Sequence, residues 1–431
     1  MKGRVVGHTG LEEETHVARL DNGLPVYVLP KPGYNKKYAT FAVKYGSIDS
    51  RFRPPGSGVI EVPAGIAHFL EHKLFEQKKG NIFDDFAELG ASANAYTTYT
   101  TTTYLFSTTD NFYECLRILL RFVQEPYFTD EEVAKEKSVI EQEIRMYEDM
   151  PEVRVGSNLM RALYHDHPVR VDVVGTVDSI RRITKEMLYT CYDTFYRPEN
   201  MAVLVVGDVD PGRVFDEVAA ATEFGGRRGG GDVERLFPDE PAHVKEERIV
   251  QDMVVAAPLL EIGFKDTADA ASGTALLRRE VATKVLLEAM FGKGSDIYTR
   301  LYEMGLIDEK FGAAYESELE FAASFVGGES KDPDRLHDLV MEHIEKTKMS
   351  GLEEAAVERA RRKLMGEFVF LFNSPERMAY RFNSYLFKGI DPFSYAEALG
   401  GLTADDVLTR LREHLDRSRH AVSIIRPKGN Q

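Results

Sequence analysis

Residues 64–75 read Ala64-Gly65-Ile66-Ala67-His68-Phe69-Leu70-Glu71-His72-Lys73-Leu74-Phe75. The apolar positions recur at helical spacing, which predicts a helix through this stretch. On a helix, residues four apart lie one turn along the same face, so the imidazoles of His68 and His72 can reach a single ion. Glu71 falls on the same side, close enough to hold a water at that ion. This is the H-x-x-E-H order, in which two histidines bind zinc and the intervening glutamate serves as general base. Zinc lowers the pKa of a coordinated water, and the carboxylate takes the proton.

Two histidines hold zinc weakly, so a catalytic site requires a third protein ligand. The chain has 431 residues but only two cysteines, Cys115 and Cys191. A disulfide framework and a cysteine-built metal cluster are thereby excluded, and the third ligand must be His, Asp or Glu. Residues 129–147, Thr-Asp-Glu-Glu-Val-Ala-Lys-Glu-Lys-Ser-Val-Ile-Glu-Gln-Glu-Ile-Arg-Met-Tyr, supply candidates. Thr129 and Glu132 form a capping-box pattern that marks a helix start. Glu136 and Glu143 then stand two turns apart on nearly one face. An acidic helix is ordinarily a solvated surface. Beside the His pair, one of these glutamates reads better as a ligand and the other as the outer carboxylate that orients it.

The rest of the chain organises around this helix pair. Phe224-Gly-Gly-Arg-Arg-Gly-Gly-Gly-Asp232 and Pro238-Asp-Glu-Pro241 lie near the middle and read as a linker, since glycine resists ordering and proline stops helices. Before it, strands are expected at 24–29, after the turn Asp21-Asn22-Gly23, and at 39–45 and 201–206. Helices are expected around 64–78, 80–90, 110–124, 130–150, 152–165 and 184–196. After it, the order recurs: an apolar strand at 253–264, helices near 272–291, 334–349, 353–373 and 376–387, and a last strand at 421–425. One constant shift carries Glu143 onto Glu367, Pro151 onto Pro375, Glu152 onto Glu376 and Pro168 onto Pro392. Ala202-Val203 likewise matches Ala421-Val422. The chain therefore reads as an α+β protein of two related halves. The expected domains are 1–224, bearing the metal, and 243–431, without it, joined by a linker over 225–242.

Composition narrows the partners. With 54 basic against 70 acidic side chains the net charge is −16, which argues against a nucleic-acid backbone or an anionic membrane surface as main partner. The N-terminus lacks the apolar core of a signal peptide. The longest apolar runs fall far short of the roughly 18 residues that span a bilayer. A cytoplasmic location is expected. Lys78-Lys79 and Arg227-Arg228 are short basic clusters that read as loop solubility. Cys115 and Cys191 read as buried thiols, and Phe368-Val-Phe-Leu-Phe372 as core.

His68-Phe-Leu-Glu71-His72-Lys-Leu-Phe75, then Asn94-Ala95-Tyr96 in a Thr/Tyr-rich run, then Glu136 and Glu143, resembles the pitrilysin/insulinase family of zinc peptidases, which includes the mitochondrial processing peptidases. His167-Pro168, Gly175-Thr176, Tyr196-x-Pro198-x-Asn200-Met201 and Val206-Gly207-Asp208-Val209 fit the same family. The resemblance runs from about Asn22 to Asp210. It implies two homologous domains, each a mostly antiparallel sheet covered by helices. It implies one Zn2+ per chain on His68, His72 and Glu143, with Glu71 as catalytic base and Glu136 as the outer carboxylate. Threonine and tyrosine favour strands, and a strand edge can accept a substrate backbone through main-chain hydrogen bonds. An internal hairpin is the alternative for 91–106; the resemblance places Asn94 and Ala95 on an edge strand that pairs with substrate.

The second half has no H-x-x-E-H, and His337 and His343 have the wrong spacing for one. Family members that complete the site from this half carry an Arg and a Tyr seven residues apart. Here Ile307 stands seven after Arg300, with Tyr315 further on. The expected activity is hydrolysis of peptides or unfolded segments held as an added strand in an enclosed chamber, by a homodimer or by a heterodimer with a related chain. Two alternatives stand beside it: a catalytic subunit active only when a partner supplies the Arg/Tyr pair, and a non-catalytic assembly subunit of the same fold. Intact His68, Glu71, His72 and Glu143 argue against the second.

Overall fold

The computed structural model describes residues 4–8, 13–78, 80–222, 231–267 and 271–428. Lys79 and, within the expected linker, residues 225–230 with Arg227 and Arg228 lie outside the described residues. The described chain divides into two compact units. Unit 1 comprises 1–144, 172–237 and 372–384; unit 2 comprises 145–171, 238–371 and 385–431. The units do not follow the two contiguous halves one for one.

Unit 1 is built on β1 (Arg4–His8), β2 (Glu13–Arg19), β3 (Pro25–Pro30), β4 (Lys37–Val43), β5 (Ser92–Thr97), β6 (Thr102–Thr108) and β7 (Met201–Gly207). Their spatial order is β1-β2-β3-β7-β4-β6-β5, so β5 is an edge strand. Every residue of β7 is buried, as its unbroken apolar run requires of a strand covered on both faces. It lies parallel to β3 and antiparallel to β4. Unit 2 carries β8 (Arg248–Met253), β9 (Leu259–Lys265), β10 (Gly312–Ser317), β11 (Ala322–Glu329) and β12 (His420–Pro427), in the order β8-β12-β9-β11-β10. Here β8 and β12 are parallel and the other pairs antiparallel. The five strands β3-β7-β4-β6-β5 thus repeat as β8-β12-β9-β11-β10, with Ala202 opposite Ala42 and Ala421 opposite Gly263. The fold is α+β with two related sheet-and-helix domains.

The helices that matter for the site, in chain order, are α1 (Ile66–Leu74), α2 (Phe112–Gln124), α3 (Asp130–Glu148), α4 (Pro151–Leu163), α5 (Gly273–Phe291), α6 (Pro333–Ser350), α7 (Glu354–Phe370) and α8 (Pro375–Leu386). Helix α4 belongs to unit 2, where it packs on β12 and β9. Gly263 makes room there, since a Cβ at that position would sit 2.9 Å from Leu159 Cδ2. The first ten residues of α8 belong to unit 1. Asn383 donates to Thr40 on β4 at 3.0 Å, Phe382 packs on Tyr27 of β3, and Tyr380 on Tyr96 of β5. Each sheet is therefore covered by a helix from the other half of the sequence.

Several expectations are corrected. The apolar run 253–264 is not one strand: β8 ends at Met253, β9 begins at Leu259, and the connection contains Pro258, which offers no donor to a ladder. The 368–372 run is not wholly core. Phe368 is buried and stacks on Tyr395, but Val369 and Phe370 are 50% and 56% exposed, because consecutive helical residues point in different directions. The hairpin β10–β11 and strands β1 and β2 carry too few consecutive apolar residues to be read from periodicity alone. Cys115 and Cys191 are free and buried, as expected.

Helix α1 starts on a tight backbone contact. Gly65, its N-cap, has φ 86°, a conformation that favours glycine. A Cβ there would lie 2.5 Å from the Val174 carbonyl oxygen, and one on Gly175 (φ 80°) would lie 2.6 Å from that of Ala64. Ser179 Oγ donates to Ala64 O at 2.8 Å across the same contact. Replacing Gly65 with Ala is predicted to destabilise the protein by roughly 1–3 kcal/mol, read from chemical denaturation, and to reduce zinc uptake in parallel.

Candidate metal centre

The centre is assembled where α1 meets α3 in unit 1. Helix α1 is apolar enough to be buried along almost its whole length, and that burial takes His68, Glu71 and Lys73 inside with Phe69 and Leu70. Helix α3 begins with Thr129 Oγ1 accepting from the Glu132 amide at 3.2 Å, which realises half of the expected capping box. Its apolar residues Val133, Ile140 and Ile144 are buried, and Glu136 is buried with them.

The ligand atoms of His68, His72 and Glu143 all lie within 4.8 Å of one another. His68 Nε2 is 3.7 Å from Glu143 Oε1, and His72 Nε2 is 3.7 Å from Glu143 Oε2. Two imidazole nitrogens and one carboxylate are a donor set that zinc takes in catalytic sites, leaving a fourth position for water or substrate. The His72 and Glu143 side chains are 28% and 21% exposed, so that position opens toward solvent. His72 Nδ1 bonds Glu136 Oε1 at 3.0 Å, the outer-carboxylate arrangement that leaves Nε2 as the free ligand atom. Among the described residues His68 Nδ1 is buried with no hydrogen-bond partner, so no outer carboxylate orients that ring as Glu136 does for His72.

Charge favours a cation here. Glu71, Glu76, Glu132, Glu136 and Glu143 gather around Lys73, the two imidazoles and the exposed Lys135. Burial and the neighbouring His72 push the His68 imidazole down to about 3, which keeps it neutral and able to ligate. Burial lowers His72 too, but its bond to Glu136 and the surrounding carboxylates carry it above the ordinary value. Burial raises Glu71 to about 7 against the bond it accepts from Thr97 Oγ1, at 2.5 Å to Oε2. Burial also raises Glu136, but the bond from His72 and the positive charges of His72, Lys73 and Lys135 together outweigh it, so that carboxyl lies below its usual range.

All five residues expected at the centre from the sequence, His68, Glu71, His72, Glu136 and Glu143, are brought together. Asn94 and Ala95 lie on the edge strand β5, with Asn94 exposed and opposite Leu105 of β6. The hairpin β5–β6 is real, and β5 is its outer strand. Two contributors were not legible in the sequence. Thr97, the last residue of β5, bonds Glu71, and only the sheet register brings it there. Lys73, fully buried, reaches Glu76, Glu132 and Glu136; its position next to His72 is the one available signal. The Arg/Tyr pair is not formed by Tyr315, which is buried in unit 2 and donates to Asp266 at 2.6 Å.

Known proteins resemble this chain over nearly its whole length. The description "Insulinase (Peptidase family M16)" matches residues 61–177, and "Peptidase M16 inactive domain" matches 182–364. The Bacillus subtilis protein named as the uncharacterized zinc protease YmfH is 41% identical over 97% of this chain and 98% of its own length. An M16-like peptidase from Alicyclobacillus acidocaldarius superposes with a TM-score of 0.93 at 38% identity, covering 98% of this chain and all of the other. Pitrilysin shares the fold, with a TM-score of 0.75 at 15% identity, and the whole chain covers 47% of it. The chain belongs to the insulinase family of peptidases, a family of zinc metallopeptidases.

Removing the outer carboxylate tests the geometry. The variant Glu136→Gln is predicted to bind zinc about 10–100-fold more weakly than wild type in a competition titration against a chromophoric chelator. Unchanged affinity would mean that Glu136 does not orient His72.

Proposed function

We propose that the chain is a zinc-dependent endopeptidase, with His68, His72 and Glu143 as ligands of one Zn2+ and Glu71 as catalytic base. The observation that carries this reading is the convergence of those four side chains at the end of an edge strand. A zinc ion held there would lower the pKa of a water and polarise the scissile carbonyl. Glu71 is placed to act as the base that would accept a proton from a water there and deliver it to the leaving amine. Its burial disfavours the charged form, which strengthens the carboxylate as the base that takes up the proton. Thr97 fixes the Glu71 carboxylate through the hydrogen bond to Oε2.

Substrate is proposed to add to β5 as a further strand, alongside Asn94 and Ala95. Backbone pairing of this kind recognises an extended chain with little regard to its sequence, so peptides or unfolded segments are the substrate class. Thr97, at the end of that strand, bonds Glu71, which supports docking along this edge.

A second reading is favoured by Tyr315. Its burial against Asp266, with Asp308 standing seven residues before it, leaves unit 2 without the Arg/Tyr pair of self-sufficient relatives. We therefore infer that the working enzyme is a dimer with a related chain that supplies those groups, since a second copy would bring the same unit 2. The coverage of 47% of pitrilysin supports one chain as half of an enclosed chamber. Two free buried thiols and a charge of −16 support a cytoplasmic protein that does not engage nucleic acid. Among the described residues no helix is long and apolar enough to cross a membrane.

Glu71→Gln is expected to retain stoichiometric zinc while lowering kcat toward an unstructured peptide by about 10²–10⁴-fold. Cleavage at the wild-type rate would remove Glu71 from the chemistry. The purified zinc-loaded chain, assayed alone, is expected to be silent or weak until a related chain is added; full activity unaided would contradict the dependence on a partner.

A further inference from the structure

Lys73 follows the ligand His72 directly, yet none of its side chain reaches solvent. It forms a close ion pair with Glu76, and its ammonium lies 3.6 Å from Glu132 Oε2 and 3.7 Å from Glu136 Oε2. Burying an ammonium is costly unless it is paired and hydrogen-bonded, so a lysine here is held by geometry that other residues must also obey. Glu136 is the shared element. Its Oε1 takes the proton-bearing Nδ1 of His72 at 3.0 Å, and its Oε2 faces Lys73.

Resting on the zinc-site reading above, we propose that Lys73 is a positioning residue for the metal centre. It anchors the far oxygen of Glu136, so that the near oxygen stays on His72 Nδ1 and the Nε2 lone pair stays aimed between His68 and Glu143. The line runs from Lys73 through Glu136 and His72 to the ion. A carboxylate with only one oxygen held can rotate about its terminal torsion, which is broad and two-fold; Lys73 removes that freedom. The contact with Glu132, one helical turn before Glu136, fixes α3 against α1 at the same level.

The sign of the effect separates this role from plain electrostatics. A lysine near a divalent cation repels it, so if Lys73 acted only as a charge, its removal would tighten zinc. Its close pair with Glu76 cancels most of that repulsion. The positioning role predicts the opposite: loss of Lys73 loosens zinc.

The test is a double-mutant cycle on the full chain, read as zinc affinity in a chelator competition rather than as activity. Lys73→Met is expected to weaken zinc about tenfold or more, in the range seen when partners of ligating histidines are lost. Lys73→Gln, which keeps a donor without the charge, is run in parallel in case the methionine variant does not fold, and thermal melting in chelator checks each fold. In the Glu136→Gln background the effect of either substitution on zinc is expected to fall to within about twofold, because the intermediary is gone. A merely structural lysine would give the same loss in both backgrounds, and that result overturns the proposal. So does unchanged or tightened zinc binding in both single variants. A wild-type chain that binds no zinc would instead defeat the reading of the site itself.

Discussion

The structure depends on how α1 is buried. A helix whose residues are enclosed on nearly all sides carries two histidines, a glutamate and a lysine inward, and none of these can be left without partners. The facing helix must therefore supply carboxylates at the matching depth. Glu132, Glu136 and Glu143 do so at successive levels of α3, meeting Lys73, His72 and the His68/His72 pair in turn. The Gly65–Gly175 contact sets where α1 begins, and so sets that register. An excess of carboxylate over ammonium remains, which a divalent cation at the imidazoles would balance.

The same strand topology appears twice, but charge is treated differently each time. Between the second and third strands of the shared five-strand core, unit 1 places α1 and unit 2 places α5. Helix α5 has no histidine, and its buried Glu280 is paired with Lys284 and accepts from Tyr385 at 2.8 Å. Nearby, Asp266 pairs with Arg410 and accepts from Tyr315. Among the described residues, unit 2 holds no group of three His, Cys, Asp or Glu side chains close enough to hold an ion.

What the sequence disclosed follows from locality. The helical spacing of His68 and His72, and of Glu136 and Glu143, is local, so both pairs could be read and then joined by the ligand count that zinc demands. The duplicated order of elements was legible because Glu143, Pro151 and Glu152 recur at one shift in Glu367, Pro375 and Glu376. What remained hidden is non-local. Thr97 meets Glu71 only through sheet register, and Lys73 looked like any helix lysine. Tyr315 looked available, yet the fold turns it onto Asp266. The assignment of α4 to unit 2 and of the first ten residues of α8 to unit 1 leaves no trace in periodicity, because an amphipathic helix does not record which sheet it covers.

The most direct test of the zinc site is a crystal of the zinc-loaded chain measured on both sides of the zinc absorption edge. An anomalous peak is predicted at about 2.0–2.2 Å from His68 Nε2, His72 Nε2 and a Glu143 oxygen, with Glu136 on His72 Nδ1 and outside bonding distance. A peak bonded to Glu136 instead of Glu143, or no peak between the two histidines, would contradict it.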